Sequence, residues 1–475
     1  MSAHTKNSNF KIEKSYFLSV SVLIHVGIVL LFGGTVLFKK YVETPNFVAD
    51  SGGFETTTVE DKAPPQNAAP SMPTLAPSMP TMPTMSAITT INPTAPSFSV
   101  PVAAVAAPNM SNALEQKMSS TTSSMQKGLS GLPASMGNRS ASRRAVALSE
   151  NKGKPASDAA VVNALRWLQK NQNPDGTWGK TFPGAMTGLA LLCFLGHGET
   201  PAVSQEFGVT VNNAINAIVA EGTKTQGKLI FHGTAFTQSS VYEHGIATYA
   251  ASEAYTMTKD ERLAPIVKQA IGYILDGQAT DGGWMYSYSK VTPSDTSVTG
   301  WQIQALKAAH LTGLPIDGIP AALDNAMKDL DRVFEPKNGT FGYRVAGDHA
   351  TTTGIGVLCK IQWQGKADHM AIEGLKSILN QTPVKYHGPT ASLYTWYYNT
   401  QACFMAGGSS WDKWNRMFQD ELVGAQSPDG SWPVNEGKEP GGLSGVDTID
   451  GQVYRTALCS LMLEVYYRFL PSGKE

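Results

Sequence analysis

The C-terminal two thirds of the chain alternates two kinds of helical pattern. One kind is amphipathic, with apolar residues three and four positions apart, and the other is apolar on nearly all sides. We expect the amphipathic helices at 159–170, 209–220, 264–275, 321–334, 370–380 and 411–425, and the apolar ones at 185–196, 243–257, 295–311, 351–361, 393–406 and 453–469. Because an apolar helix must be covered by other helices, the alternation predicts an all-α domain, an α6/α6 toroid over residues 151–475, with an inner and an outer ring.

A short turn recurs between the two helices of several pairs. In each copy a glycine follows a glutamine by four residues, and an aromatic residue follows the glycine by two. We expect the Asp-Gly or Asn-Gly pair to form the turn, the tryptophan to pack against the neighbouring hairpin and the glutamine to cap backbone groups. The copies are Gln172 with Trp178, Gln278 with Trp284, Gln426 with Trp432 and a weaker one at Phe341, and their spacing implies two more units near Phe231 and Tyr386.

The N-terminal segment Tyr16–Phe38 contains no Asp, Glu, Lys or Arg in 23 residues. A helix of this length spans about 34 Å, slightly more than the hydrocarbon core of a bilayer. A cleaved signal peptide has a shorter apolar core and small residues at its cleavage site. The segment is therefore predicted to be an uncleaved transmembrane helix that follows a cytoplasmic arm at residues 1–15.

Ser21 and His25 lie four residues apart, on one face of this helix. The Ser-x-x-x-His pattern, followed by a proline-rich stretch, resembles the anchor of TonB-type energy transducers. That resemblance implies docking on a proton-driven motor complex in the inner membrane. The alternative is a neutral His25 that bonds Ser21 or a neighbouring helix.

Residues 39–150 have the composition of a tether. Twelve of the 28 prolines fall between Pro45 and Pro108, among many Ser, Thr and Met residues. Such a segment buries too little apolar surface to fold, so we expect a disordered linker. Lys11 and Lys14 balance Lys39 and Lys40 around the membrane helix, but the short arm and the long polar tether favour a toroid in the periplasm.

Composition narrows the function classes. Lys and Arg number 37 and Asp and Glu 38, for a net charge of −1, so no basic excess is present to bind a nucleic acid. The four cysteines form no Cys-x-x-Cys pair, which argues against a zinc ribbon or a redox site.

The Gln-x-x-x-Gly-x-Trp turn is the QW motif, and it resembles that of the terpenoid cyclase and protein prenyltransferase α/α-toroid superfamily. The resemblance covers residues 158–470. The strings at 242–248, 295–301 and 465–468 also look like a bacterial branch of prenyltransferase/squalene oxidase repeat proteins. This branch implies the fold but no particular chemistry.

Two chemistries of that superfamily lack their motifs in this sequence. The cyclases supply a proton from Asp-x-Asp-Asp-Thr, and at 292–296 only Asp295 and Thr296 match, with Ser294 at the position of the proton donor. The prenyltransferases hold zinc with Asp-x-Cys, which does not occur here. We therefore expect no metal and no cofactor.

The remaining polar candidates lie near the starts of the predicted inner helices. Asp295 is a candidate catalytic acid, or alternatively a helix N-cap. His244 lies next to the carboxylate of Glu243 in the sequence, and such a pair could transfer protons near neutral pH. All three are candidate catalytic residues. Further candidates for lining a central pocket are Tyr242, Asp348, His349, Tyr394, Asp450, Tyr454 and Arg455.

Two functions remain open. One is a membrane-tethered module that binds a peptide, glycan or lipid of the cell envelope. The other is an isoprenoid cyclase or transferase that uses other pocket residues. A deep aromatic pocket with a buried acid favours the enzyme, and a shallow polar basin favours the binding module.

Overall fold

The computed structural model describes residues 134–469 apart from 234, 348, 438, 440 and 441. The predicted membrane helix at Tyr16–Phe38 and most of the predicted linker lie outside the described residues. Among the described helices, none combines the length and the apolar character needed to cross a bilayer.

The described residues form α-helices joined by short turns, with one small antiparallel strand pair. The helices are α1 (Ala141–Glu150), α2 (Pro155–Lys170), α3 (Pro183–Gly196), α4 (Gly208–Thr225), α5 (Gln238–Thr258), α6 (Leu263–Asp276), α7 (Thr296–Leu311), α8 (Ile319–Val333), α9 (Ala350–Gln364), α10 (His369–Gln381), α11 (Leu393–Ala406), α12 (Gly408–Ala425), α13 (Ile449–Leu463) and α14 (Val465–Arg468). Strand β1 (Phe334–Glu335) pairs with β2 (Thr340–Phe341), and 3-10 turns lie at Ala134–Arg139 and Tyr286–Tyr288.

The odd-numbered helices from α3 to α13 form a closed inner ring. Each packs against the next one along the chain, and α13 packs against α3. The even-numbered helices α2 to α12 lie outside, each in contact with the inner helix that follows it. Almost every residue of α3 and α7 is buried, because these helices are covered on all sides. The predicted all-α class is confirmed, and the helix contacts close into a circle of six hairpins.

Glycines in the inner helices allow their backbones to approach closely. A Cβ atom on Gly300 of α7 would lie 2.5 Å from Ile355 of α9, and one on Gly354 would lie 2.2 Å from Asn399 of α11. Both glycines follow a threonine, as Gly188 does in α3. Small residues at these contacts explain how six helices fit around one axis.

In three of the hairpins, the repeated turn is bonded to the outer helix of the next hairpin. The indole Nε1 of Trp284 donates to the Ile274 carbonyl of the preceding outer helix at 2.7 Å. Gln278 Nε2 donates to Gly282 O within the turn at 2.7 Å and to Ala322 O of the next outer helix at 2.8 Å. The same two sets of contacts recur at Trp178 and Gln172 and at Trp432 and Gln426.

Gly282 shows why the turn needs glycine. Its φ is +100°, and a Cβ atom there would lie 2.0 Å from Asn325 O of the outer helix α8. The backbone conformation and the close approach both exclude a larger residue.

Several helices begin or end a few residues from the expected positions, and two of these differences bear on the site. Residues 134–150, which we assigned to the disordered linker, include a 3-10 turn and α1, and Arg139 is only 1% exposed. Polar contacts of this arginine and the buried side chains of Met136, Ala147 and Leu148 hold the segment in place. Helix α5 begins at Gln238 rather than at 243, so Tyr242, Glu243 and His244 lie inside the helix and not at its start.

Candidate functional site

The amino-terminal ends of the inner helices meet at one side of the ring, which we call the mouth. Asp450 of α13 contacts the residues that precede α3, and Glu243 of α5 contacts Gly184 at the start of α3. Tyr242 of α5 and Tyr394 of α11 both bond Ser297 in the first turn of α7. Most of the predicted pocket residues are therefore brought together here.

Asp295 is the N-cap of α7, as expected from its position. Its Oδ1 accepts hydrogen bonds from the Ser297 backbone N–H at 2.8 Å, from the Ser297 hydroxyl at 2.6 Å and from the Val298 N–H at 3.3 Å. The residue is fully buried, and the hydroxyls of Tyr286 and Tyr343 hydrogen-bond its carboxyl group. The carboxylate is thus held by the start of the helix and by neighbouring phenols, and it forms no ion pair with a described residue.

Four half-buried tyrosines surround this carboxylate, and we call them the tyrosine cluster. The Tyr242 hydroxyl lies 2.8 Å from Ser297 Oγ, the Tyr394 hydroxyl donates to Ser297 O at 3.1 Å, and the Tyr286 and Tyr343 hydroxyls bond each other. Burial raises the pKa of each tyrosine. Hydrogen bonding to Asp295 and its charge further raise the pKa of Tyr286 and Tyr343, and its charge alone adds to that of Tyr242 and Tyr394. All four are therefore neutral phenols at physiological pH.

Glu243 pairs with His232 rather than with His244. Its Oε1 lies 2.7 Å from His232 Nε2, and its Oε2 accepts the Gly184 N–H at 3.1 Å. Burial raises the pKa of Glu243, although His232 opposes this effect. The His232 side chain is 43% exposed, so this His–carboxylate pair reaches the surface.

His244 does not have the geometry of the predicted acid–base group. Its Nδ1 accepts the Leu229 N–H at 3.1 Å, so in the neutral ring Nε2 donates to Ala270 O, 3.0 Å away. Burial lowers its pKa to about 4. In three other hairpins, the hydroxyl of a threonine that precedes a glycine accepts the backbone N–H of the turn's aromatic residue. In the second hairpin, His244 precedes Gly245 and occupies the position of this threonine.

Asp450 and Arg455 hold backbone in place. The Asp450 carboxylate accepts the N–H groups of Lys180, Thr181 and Phe182, which precede α3, at 3.0–3.2 Å. Arg455 is 1% exposed and donates to the carbonyls of Trp432 and Val446 at 3.0 and 2.7 Å. Both side chains have their polar atoms engaged by the fold.

A second carboxylate, Glu439, faces the mouth from the loop before α13. It accepts from the Tyr394 N–H, from the Ser392 hydroxyl at 3.2 Å and from the Tyr454 hydroxyl at 3.3 Å. Burial raises its pKa. Sequence reasoning missed Glu439, because its glycine-rich loop gives no periodic signal.

The floor of the mouth is aromatic and closed. The Trp301 ring of α7 stacks on Tyr397 of α11 with centroids 5.6 Å apart, and Tyr398 packs edge-on against it. Helix α9 separates α7 from α11 around the ring, so this contact crosses the interior. These side chains are at most 2% exposed. These three aromatic side chains therefore pack together beneath the half-buried tyrosines of the mouth.

Asp348 lies outside the described residues, and His349 is the N-cap residue of α9 with its ring stacked on Tyr343, 5.5 Å away. Tyr286 and Tyr343 were missed, although both stand two residues after the aromatic residue of the turn, Trp284 and Phe341. Comparison of adjacent repeats at this position would have found them. No group of three or more His, Cys, Asp or Glu residues in the described part could hold a metal ion.

No protein-family model and no curated protein sequence matches the chain. Among solved structures, the chain is similar to the GH76A α-1,6-mannanase of Salegentibacter sp. HEL1_6 (12% identity, 65% of this chain and 99% of that one, TM-score 0.48). It is also similar to the type II terpene cyclase MstE from Scytonema (11% identity, 66% and 98%, TM-score 0.45) and to a GH76 α-mannanase of Bacteroides thetaiotaomicron (10% identity, 68% and 97%, TM-score 0.47). The double helical ring described above is established by the contacts between its own helices.

Proposed function

We propose that the ring is a binding module that captures a peptide, glycan or lipid of the cell envelope at its mouth. The observation that carries this proposal is the convergence of polar side chains at the mouth. Half-buried tyrosines and the carboxylates of Asp295 and Glu439 lie above a floor in which Trp301 and Tyr397 leave almost no exposed surface. A few convergent polar groups suit recognition of a polar ligand.

Two features argue against an isoprenoid cyclase. A folded polyprenyl chain needs a deep apolar cavity, whereas the centre of this ring is filled by aromatic side chains. Ser294, at the position of the cyclase proton donor, uses its N–H and hydroxyl to bind Asp281 at 2.8 and 2.6 Å. These bonds give the residue a role in the turn that leads to α7.

We further propose that Tyr16–Phe38 anchors the protein in the inner membrane, with residues 39–133 as a flexible tether and the ring in the periplasm. Ser21 and His25 would be the contact with a motor complex. Labelling of a cysteine introduced at Ser86 with a membrane-impermeant maleimide tests the orientation, because the four native cysteines are buried. Labelling in intact spheroplasts is expected, and protection there with labelling only after lysis contradicts the periplasmic location.

Binding at the mouth is tested with the full chain in nonionic detergent. Panels of peptides, cell-wall oligosaccharides and phospholipids are screened by calorimetry against the native protein and the double variant Tyr242→Phe, Tyr394→Phe. We expect saturable binding of one panel, weakened at least fivefold in the double variant. The control is Tyr255→Phe, a tyrosine near the far end of α5.

Failure of all three panels to bind contradicts the proposal. Turnover of a polyprenyl substrate that disappears in Asp295→Asn would favour the enzyme instead.

A further inference from the structure

The aromatic residues that reach the surface of the domain all lie at the mouth. Among the described residues, each half-buried Phe or Tyr lies in a segment that joins an outer helix to the next inner helix, or in a helix turn beside such a segment. The remaining described Phe and Tyr residues, and the described Trp residues, are buried. Aromatic surface that is confined to one face of a domain marks that face as a binding surface.

The charged groups at the mouth already have partners in the fold. Asp295 accepts from the start of α7 and from two phenols, Glu439 accepts one backbone N–H and two hydroxyls, and Asp450 accepts three backbone N–H groups. Arg344 donates to Pro293 O at 2.9 and 3.1 Å. Because these groups are already bonded, recognition at the mouth does not need a charge on the ligand.

Tyr242 and Tyr394 donate their hydroxyl hydrogens toward α7. The hydroxyl of Ser297 gives its one hydrogen to Asp295 Oδ1 at 2.6 Å. The Tyr242 hydroxyl, 2.8 Å from Ser297 Oγ, is therefore the donor of the bond between them. The Tyr394 hydroxyl donates to Ser297 O at 3.1 Å. Both phenol oxygens keep lone pairs that can accept a hydrogen bond.

Tyr286 and Tyr343 use their hydrogens in the same way. Their hydroxyls bond Asp295 and each other, so the two hydrogens remain within this group of three side chains. A carboxylate is an acceptor only, which fixes the direction of the bonds to Asp295. The tyrosine cluster therefore offers a ligand neutral hydrogen-bond acceptors beside aromatic rings.

The rings of the cluster follow one another across neighbouring hairpins. The Tyr242 and Tyr286 ring centroids lie 6.1 Å apart, the Tyr286 and Tyr343 hydroxyls are in contact, and Tyr343 stacks on His349 with centroids 5.5 Å apart. We call these four side chains the aromatic strip. They belong to α5 and to the loops that lead to α7 and α9, so the aromatic strip suits a ligand made of several units in a row.

A ligand that matches this surface is uncharged, donates hydrogen bonds and has apolar faces. A sugar meets all three conditions, because its hydroxyls donate and the C–H groups on the faces of its ring pack against aromatic side chains. An acyl chain has no donors. A proline-rich peptide, the peptide class that binds aromatic grooves, lacks an N–H at each proline and offers mainly carbonyl acceptors.

We propose that the ligand captured at the mouth is a neutral oligosaccharide, which lies along the aromatic strip and donates hydrogen bonds from its hydroxyls to the phenol oxygens. This inference rests on the proposed function and narrows its ligand class to glycans. Asp295 acts through the tyrosines, because it holds the hydroxyl hydrogens of Tyr286 and Tyr343 and so leaves their oxygens to accept.

The test uses sugars that differ only in their donors. Neutral trisaccharides of glucose, mannose, galactose and N-acetylglucosamine are titrated by calorimetry into the full chain in a polyoxyethylene detergent, because a maltoside headgroup is itself a sugar. The trisaccharide that binds most tightly is then compared with its fully O-methylated form, which keeps the rings and loses the hydroxyl donors. We expect the O-methylated form to bind at least tenfold more weakly.

Two variants remove one phenol oxygen each and keep the ring, Tyr343→Phe and Tyr242→Phe. We expect each to weaken binding of the trisaccharide at least fivefold and to leave binding of the O-methylated form unchanged, since that form does not donate to the oxygen. Tyr242 bonds Ser297 rather than Asp295, so its variant remains informative if Tyr343→Phe loosens the start of α7. Tyr255→Phe, near the far end of α5, is the control and should bind as the native protein does.

Failure of every neutral trisaccharide to bind overturns the inference, as does equal binding of the trisaccharide and its O-methylated form. An equal loss in Tyr255→Phe and Tyr242→Phe also overturns it. A peptide or phospholipid that binds instead, and binds more weakly to the double variant Tyr242→Phe, Tyr394→Phe, would leave the binding module standing with a different ligand. Absence of binding by sugars, peptides and phospholipids alike contradicts both proposals.

Discussion

The two ends of the inner ring both contain buried charge, but they treat it differently. At the carboxyl end, Arg139 bonds Glu253 at 2.8 Å, and Arg468 lies 3.7 Å from the same carboxylate. At the mouth, Asp295 is equally buried and forms no ion pair among the described residues. Glu253 is thus held by two arginines, whereas Asp295 has no charged partner in the described part of the chain.

The paired charges at the carboxyl end join the two ends of the described domain. Arg139 belongs to the segment before α1 and Arg468 to α14, so the two ends of the described domain converge on Glu253. The two arginines lower the pKa of Glu253 to about 2 although burial alone would raise it. The arginines and Glu253 therefore depend on one another, because removing one member leaves the others buried without a charged partner.

Removing the charge of Glu253 should have the largest effect on stability. Glu253→Gln leaves Arg139 and Arg468 without a charged partner, and breaking a buried pair lowers the free energy of unfolding by about 3–5 kcal/mol. Urea unfolding followed by tryptophan fluorescence measures the change.

The control is Asp412→Asn at the exposed Lys152–Asp412 pair, for which a loss below about 1 kcal/mol is expected. Similar losses in both variants would mean that the carboxyl end is not held by its charges.

Glu464, at the same end, should make the stability depend on pH. Burial raises its pKa to about 8 against the attraction of Arg468, His197 and Arg139, and only Ser460 bonds its carboxyl group within the described residues. A carboxyl group with a raised folded-state pKa binds a proton more tightly in the folded protein. Stability is therefore highest near pH 5 and falls as the pH rises toward 8. The pKa of His197 is also raised, which adds a loss of the same sign above its unfolded value of 6.5.

Glu464→Gln tests this dependence. We expect the melting temperature of the variant to fall less between pH 5 and 8 than that of the native protein. In free energy of unfolding the difference between the two should reach up to a few kcal/mol, since one pKa unit corresponds to about 1.4 kcal/mol. Parallel melting curves across this range would contradict the assignment.

The fold followed from the sequence because its signals are repeated. The helix periodicity recurs in every hairpin, and the turn with Gln278, Gly282 and Trp284 makes the same contacts in three of them. The expected unit near Phe231 has no Gln and Trp at these positions. In that unit His244 accepts the Leu229 N–H, where three other units use a threonine hydroxyl to accept a backbone N–H of the turn. The replacement of a threonine by a histidine as the hydrogen-bond acceptor does not alter the hydrophobic periodicity, so the periodicity cannot predict it.

The site was only partly predictable. The N-cap role of Asp295 follows from a local rule, and Tyr394 lies in the first turn of α11 as expected, whereas Tyr242 lies inside α5 although it too contacts Ser297. The pairing of Glu243 with His232 and the approach of Glu439 to Tyr394 depend on loop conformations. Loops without periodic patterns do not reveal such contacts in a single sequence.

Ser297 links the tyrosine cluster to α7, and its removal should have a modest effect. Ser297→Ala deletes the hydroxyl that lies 2.8 Å from the Tyr242 hydroxyl and 2.6 Å from Asp295 Oδ1. We expect a loss of about 1–2 kcal/mol in urea unfolding, since one of the partners is charged. Ser409→Ala, at an exposed position of α12, serves as the control and should change stability by less than about 0.5 kcal/mol. A loss as large as that in Glu253→Gln would make the cluster part of the structural core.

Asp295→Asn should have the smallest effect on stability, and it tests the comparison most directly. Asparagine caps a helix as well as aspartate does, so the bonds from Ser297 and Val298 can be kept. The neutral side chain also removes a buried charge that has no counter-ion, so the free energy of unfolding should stay the same or rise by up to about 1 kcal/mol. A binding residue retained at the expense of stability behaves in this way. A loss of 2 kcal/mol or more by urea unfolding would instead place Asp295 with Glu253 as a structural charge, because only a carboxylate that the fold itself satisfies destabilises the protein when it is neutralised.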